Sequence, residues 1–96
     1  MRIEWDEAKN EANRRKHDGI DFETAAEVFA DPLHRSLPER VVDGEERWQT
    51  LGMVRGLLLL LVAHTYRDEG GEEVIRIISA RRATRQERQA YEGREA

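Results

Sequence analysis

The side chains most able to do chemistry crowd into one stretch, Val74-Ile75-Arg76-Ile77-Ile78-Ser79-Ala80-Arg81-Arg82-Ala83. Arg76 interrupts an apolar run, and Arg81 and Arg82 stand at its exit. A guanidinium presents a planar fork of donors that matches a phosphate or a carboxylate. Fixed at the end of a rigid strand, it can hold either. Adjacent residues of an extended segment point to opposite faces, so one of Arg81 and Arg82 is expected to reach a common site. By strict alternation Arg76 shares its face with Val74, Ile78 and Ala80. Site, ion-pair and solvated roles all stay open for these arginines.

Other groups could join them. His64 and Arg67 end the longest apolar segment, and a histidine can donate or accept a proton near neutral pH. By alternation His64 goes with Val62 and Tyr66, and Arg67 with Ala63 and Thr65. Lys16 and His17 close a helical stretch, where cations also serve the helix dipole. Arg47 opens a further strand, and Tyr91 lies on the last helix. The three histidines, His17, His34 and His64, fall in three different elements. No HxH, HxxxH or HExxH spacing occurs, so a zinc site is not expected. There is no P-loop, GxGxxG or GxSxG, which argues against nucleotide-dependent and serine-hydrolase chemistry. No cofactor is implied. RNA cleavage through the substrate's own 2′-hydroxyl needs none of these. It needs a base, an acid and positive charge around the phosphate.

These groups must be positioned by a small scaffold. The chain has 96 residues, 39% hydrophobic and 38% charged, with no cysteine. This fits one domain, 1–96, without disulfides, and a reducing cytoplasm. The apolar run 57–63 is too short to span a bilayer, and the acidic N-terminus has no signal-peptide character. The formal net charge is −4, but residues 74–96 carry six arginines against three glutamates. The C-terminal segment is therefore basic within an acidic chain.

Arg2–Trp5 predicts a short strand. Asp6 caps a helix that ends near His17, with Gly19 as its stop. Asp21 caps a second helix with Phe22, Ala25, Ala26 and Phe29 on one face, ended by Asp31-Pro32. In 33–42 the alternation is poor, and Pro38 predicts an edge strand or a bulge. Arg47–Val54, Leu57–Tyr66 and Val74–Ala80 predict an antiparallel meander with the middle one central. Thr84-Arg85-Gln86-Glu87 is a capping box opening a final helix. Trp5, Trp48, Phe22 and Phe29 are expected in the core. The expected architecture is α+β: an antiparallel sheet of four to five strands, two N-terminal helices and one C-terminal helix. Helices cover one face, and the site is expected on the partly open one.

The sequence resembles the BrnT family of bacterial toxins. The matching pieces are Trp5-Asp6 with Lys9 and Asn13; Lys16-His17; Phe22, Ala25-Ala26; Val28-Phe29 with Asp31-Pro32; Glu46-Arg47; Gly52; and the Arg76–Ala83 block with Glu87-Arg88 and Tyr91. The resemblance implies a RelE-like fold and the toxin half of a type II toxin–antitoxin pair that cuts RNA without a metal and arrests growth. It implies a BrnA-like ribbon-helix-helix antitoxin, with DNA contacted only through that partner, and no membrane role. For a ribonuclease of this kind the candidates are Arg76, Arg81 and Arg82, with Arg67 beside them, for phosphate, and Lys16, His17 and His64 for proton transfer. Arg47 and Tyr91 would bind substrate. In one departure, Asp18 separates His17 from Gly19, where the family usually has glycine directly after Lys-His. The alternative function is a binding module whose arginine rim grips an acidic partner without catalysis.

Overall fold

The computed structural model describes residues 1–93. The chain runs β1 (Arg2–Trp5), α1 (Glu7–Lys16), α2 (Phe22–Ala26), a 3₁₀ turn (Glu27–Ala30), β2 (Arg35–Val42), β3 (Glu45–Val54), β4 (Leu58–Glu69), β5 (Glu72–Arg82) and α3 (Arg85–Glu92). The five strands form one sheet in the order β1-β5-β4-β3-β2. β2 to β5 make an antiparallel meander, while β1 pairs in parallel with β5. The sheet is therefore mixed, because the two helices after β1 return the chain by a crossover. The leucine-rich β4 is central, and β2 is an edge strand with a register shift between Pro38 and Arg40.

α1, α2 and the 3₁₀ turn pack on one face of the sheet, here called the helix face. Phe22, Ala25 and Val28 meet Val54, Leu60, Val62, Ile75, Ile77 and Ala80 there, and Trp5 stands edge-on to Phe22 at 6.3 Å. Burying a side chain such as Phe22 contributes about 2–3 kcal/mol. The second predicted helix is shorter than its pattern: it tightens to 3₁₀ at Glu27, and Val28 points inward with Phe29 half-buried. The 3₁₀ turn lies so close to β3 that a Cβ on Gly52 would fall 2.7 Å from Val28 Cβ, so only glycine fits.

β1 pairs with β5 only as far as Trp5 opposite Ile77. Beyond it, the side chain of Asn13 takes the place of a strand. Its Nδ2 donates to the Ala80 and Ile20 carbonyls at 2.8 and 3.0 Å, and its Oδ1 accepts from Ala80 N at 3.1 Å. A buried asparagine thus satisfies backbone groups that would otherwise be orphaned. It also fixes β5 immediately before Arg81.

On the other face, α3 covers one end. Thr84 and Glu87 form the predicted capping box, and Tyr91 packs against Leu51, Leu59 and Leu61. The rest of this face is open.

Candidate functional site

The register decides which arginines meet. Opposite Ala63 and His64, β5 spends an extra residue, Ile78, in a bulge: Ala63 pairs with Ser79, but His64 pairs with Ile77. A bulge reverses the alternation on its far side. Arg76 consequently shares the open face with Ser79 and Arg81, not with Ala80, which is buried against the helices. Arg82 leaves on the helix face.

Across the open face one row reads Arg40 (β2), Arg47 (β3), Thr65 (β4), Arg76 (β5), Glu4 (β1). Arg47 and Arg76 are two strand spacings apart, about 10 Å between backbones. Two long side chains can converge on one phosphate over that span. Between them the Thr65 hydroxyl is buried and has no hydrogen-bond partner, and neither has Arg47 Nε. The Glu45 carboxylate approaches Arg47 Nε only to 3.7 Å. Arg76 is exposed and has no ion-pair or hydrogen-bond partner among the described residues. Buried donors without partners are costly unless a ligand or solvent completes them.

The other three arginines that the sequence points to for phosphate have carboxylates near them. Arg67 shares the open face, but Glu4 holds Nη2 and Glu69 holds Nε, each at 2.9 Å. Arg81 is held bidentately by Glu87 at 2.9 and 3.0 Å. The Arg81 guanidinium keeps the Glu87 carboxyl below the usual range despite its partial burial. Arg82 is exposed, 3.6 Å from the Asp18 carboxylate. Asp18 and Gly19 both take positive φ in the turn after α1. The extra residue seen in the sequence thus delivers a carboxylate to Arg82. Arg81 and Arg82 part to opposite faces, as their adjacency predicts.

The proposed proton carriers are not brought to this row. His64 is on the helix face, buried, with Phe29 edge-on at 5.0 Å. Its Nδ1 donates to the Thr65 carbonyl at 3.0 Å. Its Nε2 therefore accepts from Thr50 at 2.7 Å, and Thr50 accepts from Ser36 at 2.7 Å. Burial pushes the imidazole pKa down, outweighing the carbonyl that favours the cation. Lys16 and His17 close α1, on the helix side of the sheet.

His64 instead lines a cavity of about 440 Å³ with Phe29, Trp48, Tyr66, Ile75 and Glu73. Trp48 is thus half-buried at its wall rather than in the central core. Tyr66 donates to Glu73 at 2.8 Å, and that bond raises its pKa, with burial and the nearby Asp68 charge adding to it. No arginine or lysine lines this cavity.

Tyr91 is a packing residue with an anchored hydroxyl: it donates to Asp31 Oδ2 at 2.6 Å. The same oxygen accepts from Met53 N, and Oδ1 accepts from Leu33 N. Burial alone would raise the Asp31 pKa, but these three hydrogen bonds hold it below the ordinary value. Asp31 ties β3, the start of β2 and α3 together. Sequence reasoning passed over Asp31, Thr65 and Gln49 as site-related groups. Alternation from Arg47 through Gln49 to Leu51 was the signal that places Gln49 on the open face.

The fold and the open row define a class: a small α+β protein with guanidinium groups on the open face of its sheet. Comparison with known proteins makes it specific. Residues 5–87 match the family model described as the ribonuclease toxin, BrnT, of type II toxin–antitoxin systems. The structure is similar to the crystal structure of the Brucella abortus ribonuclease toxin BrnT, with a TM-score of 0.66 and 30% identity over 88% of this chain and 99% of that one. A search of curated protein sequences found no match. The chain belongs to the BrnT ribonuclease toxin family. It is an RNA-cleaving enzyme with a cognate antitoxin. Among the described residues no helix is long and apolar enough to cross a membrane.

Proposed function

We propose that RNA is bound and cut on the open face, with the scissile phosphate between Arg47 and Arg76. The single observation that carries this reading is the row Arg47–Thr65–Arg76, in which Arg76 has no partner among the described residues, Arg47 Nε has no hydrogen bond, and the Thr65 hydroxyl is buried without one. Charge that develops on the phosphate as the 2′-oxygen attacks meets two fixed cations on a rigid strand pair. Such preorganised charge is the largest usual contribution to this kind of catalysis. In this reading Glu4, opposite Arg76 and held by Arg67, takes the 2′-hydroxyl proton, the P–O5′ bond breaks as the 2′-oxygen bonds to phosphorus, and water protonates the departing 5′-oxygen. Guanidinium groups supply the positive charge around the phosphate. The test is cleavage of an RNA oligonucleotide by the purified protein in EDTA. Wild-type cleavage, lost in the Arg47→Ala, Arg76→Ala double variant with folding intact, supports the reading. Full activity of that variant refutes it.

The family resemblance suggests the kind of cognate partner. A ribbon-helix-helix antitoxin would neutralise the toxin by laying carboxylates over the arginine row, and would carry the complex to DNA. Co-purification that falls apart in salt, together with inhibition of cleavage, is the expected outcome.

A further inference from the structure

Next to the arginine row, on the same open face, the β2–β3–β4 surface sinks into a groove of about 260 Å³. Leu51 and Leu61 form its floor, Leu37 stands over its mouth, Gln49 stands at the side toward the row, and Arg35 and Glu87 close the end under α3. Gln49 lies two residues from Arg47 on the same strand face, about 7 Å along β3. Opposite it are Ala63 on one side and Leu37 on the other. The small Ala63 leaves the space open. The Gln49 amide is half-buried and has no hydrogen-bond partner among the described residues. Leu37 is 62% exposed, an apolar side chain held in solvent over the groove mouth.

We propose that this groove seats the nucleobase flanking the scissile phosphate, and that Gln49 selects adenine there. The proposal rests on the phosphate reading of the row, and it deepens it. The groove is smaller than a site for a drug-sized molecule and holds a single ring system. Its leucine floor offers a flat apolar surface to the face of a base. RNA is read chiefly through unstacked bases whose faces are covered and whose edges are hydrogen-bonded. A carboxamide sets one donor beside one acceptor, the pattern complementary to the N6 amino group and N7 of adenine. The distance between the amide and the row matches the separation of a base from its own phosphate.

The experiment uses four oligonucleotides that contain one cleavable ribonucleotide linkage and differ only in the base flanking it. Initial rates give kcat/KM for each. Wild-type protein is expected to favour adenine by about tenfold. Gln49→Ala should erase that preference while leaving the rates on the other three bases within about threefold. Gln49→Glu should shift the preference toward cytosine, whose N4 donates to a carboxylate. Leu37→Ser, on the exposed edge strand and harmless to folding, should raise KM for every base without changing their order. An unchanged adenine ratio in Gln49→Ala, or no base preference in the wild type, overturns the inference. Failure of the underlying phosphate reading is distinguished by the Arg47→Ala, Arg76→Ala variant, which would then still cleave all four substrates.

Discussion

The two faces of this sheet hold their central polar groups differently: on the helix face His64 and Thr50 are buried and bonded to each other, with Trp48 Nε1 at the cavity wall left unbonded, whereas in the row on the open face Arg76, Arg47 Nε and the Thr65 hydroxyl have no hydrogen-bond partner among the described residues. Ser36, Thr50, His64 and the Thr65 carbonyl form a closed hydrogen-bond chain on the first. One residue on from His64, the Thr65 hydroxyl on the second has nothing to bond. The charges differ as well. Glu73 edges the aromatic cavity of the helix face, while Arg47 and Arg76 dominate the row behind it. Strand alternation makes this possible, since one strand can supply structure to one side and chemistry to the other. A histidine in a ribonuclease invites a catalytic role, but His64 lies on the helix face, away from the arginine row.

The contrast can be broken most decisively on the open face. Arg47→Ala with Arg76→Ala is expected to lower kcat at least a hundredfold, the scale for removing fixed transition-state charge. Melting temperature should barely change. His64→Gln should do the reverse, retaining cleavage and losing stability. If it abolishes cleavage while the fold survives, the division between the faces fails.

Next in size come the contacts that hold the helix face to β5 and β3. Asn13→Ala leaves the Ala80 N–H and two carbonyls without partners and should cost about 2–4 kcal/mol in urea unfolding. Gly52→Ala forces Val28 away from β3 and should cost about 1–3 kcal/mol. Cleavage by the folded fraction should persist in both.

The pH dependence sharpens the comparison. The folded pKa of His64 lies below the unfolded value of about 6.5. The unfolded chain therefore binds more protons below that pH, and stability falls as pH drops from about 6.5 toward the folded pKa. Above about 6.5 the contribution is complete. Thermal melts across this window should show the slope, and His64→Gln should flatten it.

The smallest effect is expected at Arg82. Exposed and only loosely paired with Asp18, it should tolerate alanine within about 0.5 kcal/mol of stability. Its loss should change cleavage far less than loss of Arg76, measured on the same oligonucleotide.

Much of the scaffold was legible in the sequence, because its signals are local. Asp6, Asp21 and Thr84 cap their helices as read, through their own side-chain oxygens. Pro38 lies at the edge and beside a register shift, since it lacks the N–H that a central strand requires. Trp48 and Thr50 lie opposite His64 and Val62 on one face, and Leu51 and Met53 opposite Leu61 and Leu59 on the other, because β3 has no bulge in its pairing with β4. The parallel pairing of β1 was not legible: four residues carry no mark of their partner's direction.

The site itself was legible as composition, and only in part as geometry. Amino-acid types alone gave an arginine-rich C-terminal segment, no thiol chemistry and no motif for a nucleotide. Adjacency alone required Arg81 and Arg82 to diverge. What tertiary structure decided was which arginines gather and which are free. The Ile78 bulge moves Arg81, not Arg82, onto the face of Arg76, and the sequence of β5 does not announce it because the extra residue is as apolar as its neighbours. Glu87 then occupies Arg81, Glu4 and Glu69 occupy Arg67, Arg47 has only a 3.7 Å approach from Glu45, and Arg76 has no partner among the described residues. Ion pairing depends on residues far apart in the chain and close in space, which is why the free guanidinium groups emerge only once the sheet is assembled.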